Sequence, residues 1–187
     1  MEDLDIAETL IIQGLYEDAR ELLSNVLEEE PDNNEAVCLI GIAYTESGDN
    51  DKAIKALNYC LKHNQYNSAA WEALGCAWMR KNNLGKARDA LQSAMKLEPE
   101  NWSIKRNMGV LHILNRDYRK ARELLEYARE KKPEDYKTLY ALIYASINLK
   151  DFQSAEKLIY IIQSLNIPDE IKNDVEHLLI RIQANLI

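Results

Sequence analysis

Residues 67–99 read NSAAWEALGCAWMRKNNLGKARDALQSAMKLEP. Asn67 precedes one apolar run and Asn83 precedes a second, amphipathic one. An Asn or Asp side chain accepts a hydrogen bond from the free N–H groups of a helix's first turn, so each marks a helix start. The stretch therefore reads as a helical hairpin. Gly75 falls in the middle of the first helix, where glycine costs roughly 1 kcal/mol against alanine. Its presence there predicts that the second helix comes close, with Ala87 as the small residue on that partner.

The hairpin recurs at a fixed period, the interval from Ala53 to Ala87, which lies in the range where repeat architectures are found. Ala19, Ala53, Ala87, Ala121 and Ala155 share one phase, and Asn33, Asn67, Asn101, Asp135 and Asp169 share another. A third series runs Asp49, Asn83, Asp117 and Asp151, with Leu15 in its first slot. Pro31, Pro99 and Pro133 keep a common phase; Gln65 takes the missing place and Pro168 comes one residue late. Two Asx series per unit predict two helices per unit. Gly14 and Gly48 fall just past a first helix, where a left-handed cap is wanted. Gly41, Gly75 and Gly109 recur in mid-helix, which predicts close helix approach in three units. The units so defined are 1–33, 34–67, 68–101, 102–135 and 136–169.

These residues resemble the tetratricopeptide repeat, whose pattern is a Trp-like residue, Leu-Gly, a Tyr-like residue, Ala, an apolar residue, Ala and Pro. The third unit carries it as Trp71, Leu74-Gly75, Trp78, Ala87, Leu91, Ala94 and Pro99. The second reads Val37, Ile40-Gly41, Tyr44, Gly48, Ala53, Leu57 and Cys60; the fourth reads Lys105, Met108-Gly109, His112, Ala121, Leu125, Ala128 and Pro133. The first and fifth units match more loosely, and Ile143 replaces the glycine of the fifth, so that hairpin is expected to depart from ideal packing. The resemblance implies an all-α, right-handed α-solenoid of five such hairpins in a single domain over 1–187, closed by a C-terminal capping helix over 170–187. Ile171, Val175, Leu178, Leu179, Ile182 and Leu186 form one stripe on that helix, which suits a cap over the last apolar face. No comparable cap precedes the first unit, so Ile6, Leu10, Ile11 and Ile12 are expected to be under-covered.

The chain has 187 residues, 47% of them hydrophobic and 29% charged, which suits a soluble domain rather than a disordered or membrane-spanning chain. An acidic N-terminus, Met1-Glu2-Asp3-Leu4-Asp5, lacks the basic and apolar regions of a signal peptide. A cytoplasmic location with Cys38, Cys60 and Cys76 reduced is the expectation. Net charge is −8, which argues against sequence-independent nucleic-acid binding. Residues 1–33 carry eleven acids against Arg20 alone, or −10, leaving +2 for the remainder. Between Ser103 and Lys132 nine basic residues face four acids, or +5.

No sequence signature for nucleotide, metal or nucleophile chemistry occurs, so no enzyme activity, cofactor, metal or small-molecule substrate is expected. His112 takes a phased aromatic position and reads as a packed histidine; Cys60 reads as a small core residue. Cys38 and Cys76 fall on adjacent first helices, but two thiolates alone do not complete a zinc site.

In the family that the chain resembles, first helices line a concave surface that takes a partner. The positions carried over to that face include Leu39, Ile42, Glu72, Cys76, Met79, Arg106, Asn107, Val110, Ile113, Lys137, Tyr140 and Tyr144. Several are more apolar than solvent favours, and such a strip marks an interaction surface. Tyr136, Tyr140 and Tyr144 recur every four residues along one side of a helix, either binding a ligand or packing on neighbouring helices. Relatives that hold chaperone C-termini use a set of Lys, Asn and Arg residues; Asn107 and Lys137 match it, but Glu72, Cys76 and Ala141 do not. The expected function is therefore a non-catalytic scaffold that takes a peptide or helix of another protein, without nucleic acid or membrane insertion. The alternative is self-association or end-to-end docking through the acidic first unit.

Overall fold

A computed structural model describes residues 2–184; Met1 and Leu186 lie outside the described residues. It divides into two compact units that meet in sequence at Pro99 and Glu100. The first contains α1 (Glu2–Ile12), α2 (Tyr16–Glu29), α3 (Asn34–Ser47), α4 (Asn50–His63), α5 (Ser68–Arg80) and α6 (Leu84–Leu97). The second contains α7 (Trp102–Leu114), α8 (Tyr118–Lys131), α9 (Tyr136–Asn148), α10 (Phe152–Gln163) and α11 (Asp169–Gln183). No strand occurs among the described residues. Within each unit every helix packs on the next, and first helices also pack on one another: α1 on α3, α3 on α5, α7 on α9. Each unit is thus a solenoid of paired helices.

The Asx residues start helices as their chemistry dictates. Asn33, Asn67, Asn101 and Asp135 accept from Ala36, Ala70, Ser103 and Thr138 backbone N–H groups at the heads of α3, α5, α7 and α9. Asp49, Asn83, Asp117 and Asp151 do the same for α4, α6, α8 and α10. Leu15, which has no acceptor, leaves α2 without a side-chain cap. Asp169 departs from its series: Pro168 holds the cap position of α11, and the Asp169 carboxylate pairs instead with Lys172 Nζ at 3.1 Å. A proline needs no N–H partner there and its ring pre-sets the helical entry angle.

The turns between paired helices show a regularity that glycine alone did not reveal. Gly14, Gly48, Asn82, Arg116 and Lys150 each stand one repeat after the last, and all have positive φ, of 82°, 87°, 56°, 61° and 63°. The left-handed cap is present in every unit, whichever residue has to adopt it.

The alanine series is buried throughout: Ala19, Ala53, Ala87, Ala121 and Ala155 are all at 0% exposure. The mid-helix glycines meet the residue one turn beyond that alanine. A Cβ on Gly41 would stand 2.7 Å from Leu57 Cγ, one on Gly75 2.6 Å from Leu91 Cγ, and one on Gly109 2.7 Å from Leu125 Cγ. In the α9–α10 hairpin Ile143 is fully buried within the core formed with Ile159, Leu142 and Ile162. α3 buries six residues and α4 four, because α3 contacts the second helices α2 and α4 as well as the first helices α1 and α5.

Two of the cysteines differ from the reduced state expected. Cys38 on α3 and Cys60 on α4 form a disulfide, with Cα atoms 5.2 Å apart and residue exposures of 2% and 0%. The pairing joins the two helices of one hairpin; their separation of 22 residues in sequence spans the turn, so only the fold places them face to face. Cys76 is half-buried and takes no part in the disulfide, so a Cys38–Cys76 pair does not exist.

Candidate functional site

The first helices of the second unit, with α11, build one cavity. Val110 and Ile113 come from α7, Tyr136, Lys137, Tyr140, Ala141 and Tyr144 from α9, and Ile171 from α11; together they line about 340 Å³. Helical spacing puts Tyr136, Tyr140 and Tyr144 on one side of α9, and Val110 and Ile113 on one side of α7. All five are half-buried and pack against the core of the unit.

Two of the lining tyrosines are tied to Asp174 of α11. Tyr140 and Tyr144 both donate to its Oδ2, the second at 3.1 Å, and the two hydroxyl oxygens are 3.4 Å apart. Their rings meet edge to face, with centroids 5.1 Å apart and planes at 67°. Burial, reinforced by the hydrogen bond to the Asp174 carboxylate, holds the Tyr140 phenol well above the usual tyrosine range. Tyr140 is therefore a donor at all ordinary pH values.

The hydroxyls of Tyr140 and Tyr144 are tied to α11, the packing that one reading of the stripe expects, and all three tyrosines are among the residues that line the cavity. Sequence reasoning missed Asp174. The signal was the period itself, since Asp174 lies one full period after Tyr140, in the phase of Cys38, Glu72 and Arg106. Val175 and Leu178, in the phases of Ala141 and Tyr144, are both buried. The inward face of α11 continues the pattern of the first helices beyond the fifth unit.

The remaining positions carried over to the concave face fare differently. Leu39 is 6% exposed and belongs to a core with Ala7, Leu23 and Ala36, so it is not a surface residue. The fully apolar side chain follows the buried phase shared with Ala73, Asn107 and Ala141. Asn107 is 8% exposed and accepts from Arg106 Nε at 3.2 Å. Arg106 turns its guanidinium to Asp135 Oδ2 at 3.4 Å and over the Trp102 ring. Arg106 and Asn107 are thereby engaged with neighbouring side chains of the fold. Ile42, Glu72, Cys76 and Met79 are half-buried in the first unit. His112 is half-buried as expected, with Nδ1 3.5 Å from Asp117 Oδ2.

Among the described residues no group of three His, Cys, Asp or Glu side chains is placed to hold a metal ion. No helix among them is long and apolar enough to cross a membrane.

Residues 10–75 and 112–160 match a family model described as tetratricopeptide repeat, and residues 68–101 match another with the same description. No curated protein matches the chain. Among solved structures, a thermophilic tetratricopeptide repeat protein of Thermus thermophilus is similar, with a TM-score of 0.80, 17% identity and coverage of 96% of this chain and 98% of that one. PilF of Pseudomonas aeruginosa is similar with a TM-score of 0.73, 13% identity and coverage of 99% and 89%. MamA from Desulfovibrio magneticus has a TM-score of 0.67 at 19% identity, covering 86% and 91%. At such identities the likeness is one of fold.

Proposed function

The chain belongs to the tetratricopeptide repeat family, whose fold is a scaffold for protein–protein interaction, and from that premise we propose that it holds an extended segment of another protein against α7, α9 and α11. The observation that carries this reading is the cavity of about 340 Å³, with Val110, Ile113 and Ile171 presenting apolar surface beside the rings of Tyr140 and Tyr144. Aromatic rings offer large contact area at low entropic cost, which favours them at binding surfaces. The mechanism is positional: partners are brought together and no bond is made or broken.

In this reading the architecture is five hairpins plus α11 as a cap. Two exposed polar residues support it: Glu176 and His177 take the phases of Leu142 and Ile143, where a first helix would meet its own second helix. A cytoplasmic location is likewise a proposal.

The test is partner capture with wild type and with the double variant Tyr144→Ala, Ile113→Asp, followed by mass identification of what differs. Loss of captured species from a variant that retains its helical circular dichroism supports the reading; an unchanged set refutes it.

A second reading rests on α1 and α2. Ile12 is 85% exposed, Ile6 44% and Leu15 45%, within a segment of net charge −10. Between Phe152 and Ala184, Lys157, Lys172 and Arg181 face five acids, so end-to-end stacking on α10 and α11 would oppose like charges. Docking through α1 and α2 therefore calls for a basic surface. Light scattering at low and high salt separates the cases: a monomer at both, up to high concentration, removes self-association.

A further inference from the structure

The α3–α4 hairpin holds a covalent bond that its neighbours do without. Glu72 and Ala94 in α5–α6, and Arg106 and Ala128 in α7–α8, take the phases of Cys38 and Cys60, and those hairpins close with Ala94 and Ala128 fully buried. The α3–α4 pair has the same buried alanine, Ala53, and the same glycine–leucine contact, Gly41 on Leu57. The disulfide is therefore surplus to the closing of this hairpin, and Asn34, the first residue of α3, is arranged against it. Asn34 Nδ2 donates to the Cys60 carbonyl at 3.3 Å and, more weakly, to Cys38 Sγ at 3.7 Å. The carbonyl fixes which way the amide points, because only the nitrogen can donate to it. Asn34 Oδ1 is left buried and meets no donor among the described residues, an arrangement that disfavours the state in which it occurs. A disulfide has no proton to give, whereas a thiol has one. Cys38 follows Asn34 by one helical turn, so the two side chains are neighbours on α3 and reduction supplies the missing donor.

We propose that Cys38–Cys60 is a reversible redox clasp whose dithiol form is folded and is favoured by a hydrogen bond from the Cys38 thiol to Asn34 Oδ1. The co-reactant is a dithiol reductant. Its thiolate bonds to Cys60 Sγ, the Cys38–Cys60 bond breaks, and the electron pair leaves on Cys38 Sγ, which takes up a proton. The reductant's second thiolate then displaces Cys60, which is protonated in turn. Two electrons and two protons pass to the protein, and the reductant ends as a disulfide. Access comes at the end of α4: Cys60 lies in the last turn of a helix that ends at His63, and residues 62–66 are exposed, so fraying there bares the sulfur. Reduction releases the tie between the start of α3 and the end of α4, while the packing around Leu57 stays. The device lies in the first unit and is independent of the reading of the cavity.

The full chain is equilibrated in mixtures of reduced and oxidised dithiothreitol, quenched with acid, and alkylated in denaturant with a maleimide-coupled polyethylene glycol. Band shifts then count thiols: three cysteines in the dithiol form, Cys76 alone in the disulfide form. Wild type is expected to pass reversibly between the two and to keep its helical circular dichroism in both. In Asn34→Leu, which removes Oδ1, the equilibrium is expected to shift about three- to tenfold toward the disulfide, or about 15–30 mV for a two-electron couple. Loss of the Nδ2 bond to the Cys60 carbonyl is common to both forms and cancels from this ratio. Asn34→Ala makes the same comparison without the bulk of leucine. Urea unfolding is an independent readout: each variant should destabilise the reduced form more than the oxidised form, by the same factor. A disulfide that resists reduction without denaturant, or a dithiol form that has lost its helices, overturns the proposal in favour of a purely structural bond. An unchanged equilibrium in both Asn34 variants also overturns it, because Oδ1 then takes nothing from the thiol.

Discussion

The α3–α4 hairpin and the α9–α10 hairpin occupy the same phase of the repeat three periods apart, and they are built from opposite choices. Where α3 has Gly41 and α4 answers with Leu57, α9 has Ile143 and α10 answers with Ile159. Where Gly48 makes the left-handed turn at no steric cost, Lys150 makes it with a Cβ. Where Cys38 turns down onto Cys60, the residues in the same phases are Tyr140, which turns toward the cavity, and Ile162 in the core. Both hairpins nevertheless close with the central residues fully buried. The glycine is therefore one half of a pair: leucine extends its tip into the opposing slot, whereas β-branched isoleucine keeps its bulk near its own backbone. The volume is filled from one side in α3–α4 and shared from both in α9–α10.

The change that most directly breaks the pairing is Ile143→Ala, which leaves a void opposite Ile159. It is expected to cost about 2–5 kcal/mol in urea unfolding. The combination Ile143→Gly, Ile159→Leu rebuilds the α3–α4 solution and should cost clearly less than the sum of its single changes, with a coupling of about 0.5–3 kcal/mol. Simple additivity would show that the two positions are not a pair.

Reduction sharpens the contrast from the other hairpin. Opening Cys38–Cys60, which closes a loop of 22 residues, should lower stability by about 3 kcal/mol. Denaturation with and without reductant measures it, and the double variant Cys38→Ser, Cys60→Ser should show no dependence on reductant.

Gly41→Ala asks whether the slot is full. Its Cβ would stand 2.7 Å from Leu57 Cγ and Cδ2 and 3.2 Å from the Leu57 backbone nitrogen. A net loss of about 1–3 kcal/mol is expected from overpacking, despite the better helix propensity of alanine. A gain in stability would mean that the helices have room to spare.

Lys150→Gly removes the left-handed penalty from the α9–α10 turn. It should raise the unfolding free energy by about 1 kcal/mol, and Gly48→Lys should lower it by a similar amount. Paired melting curves decide this.

The smallest effect is on pH. Tyr140 has its pKa raised in the folded state by burial and then by Asp174. In the unfolded chain the phenol ionises near pH 10, so its contribution is fully present below about pH 10 and declines as pH rises beyond that value. Tyr140→Phe should flatten this alkaline decline in a urea titration carried out at several pH values.

The fold was legible because its determinants are local and repeated. An Asx cap acts within one turn of its own helix, and a buried alanine recurs only if the helix presents the same face in each unit. Left-handed turns at Asn82, Arg116 and Lys150 were not legible from residue type, since none is glycine; only the phase shared with Gly14 and Gly48 identifies them. For the site, the phase placed Val110, Ile113, Lys137, Tyr140 and Tyr144 on the inward face of first helices, and these do line the cavity. Leu39 and Asn107 are buried and Arg106 pairs with Asp135, because facing a neighbouring first helix and facing solvent belong to the same side of the repeat.

The amino-acid sequence by itself determined the hairpin unit, its period, the helix starts and the acidity of the first unit. These follow from interactions within a few residues or from composition. Tertiary structure alone decided that Cys38 bonds to Cys60, that Arg106 is spent on Asp135 and that Asp174 gathers the hydroxyls of Tyr140 and Tyr144. Each of those contacts joins residues 22 to 34 positions apart, on helices whose distance and rotation are set by how Leu57, Ile143 and their partners fill the space between them. Local signals specify which residues form a helix; where its side chains end is set by the packing of the helices around it.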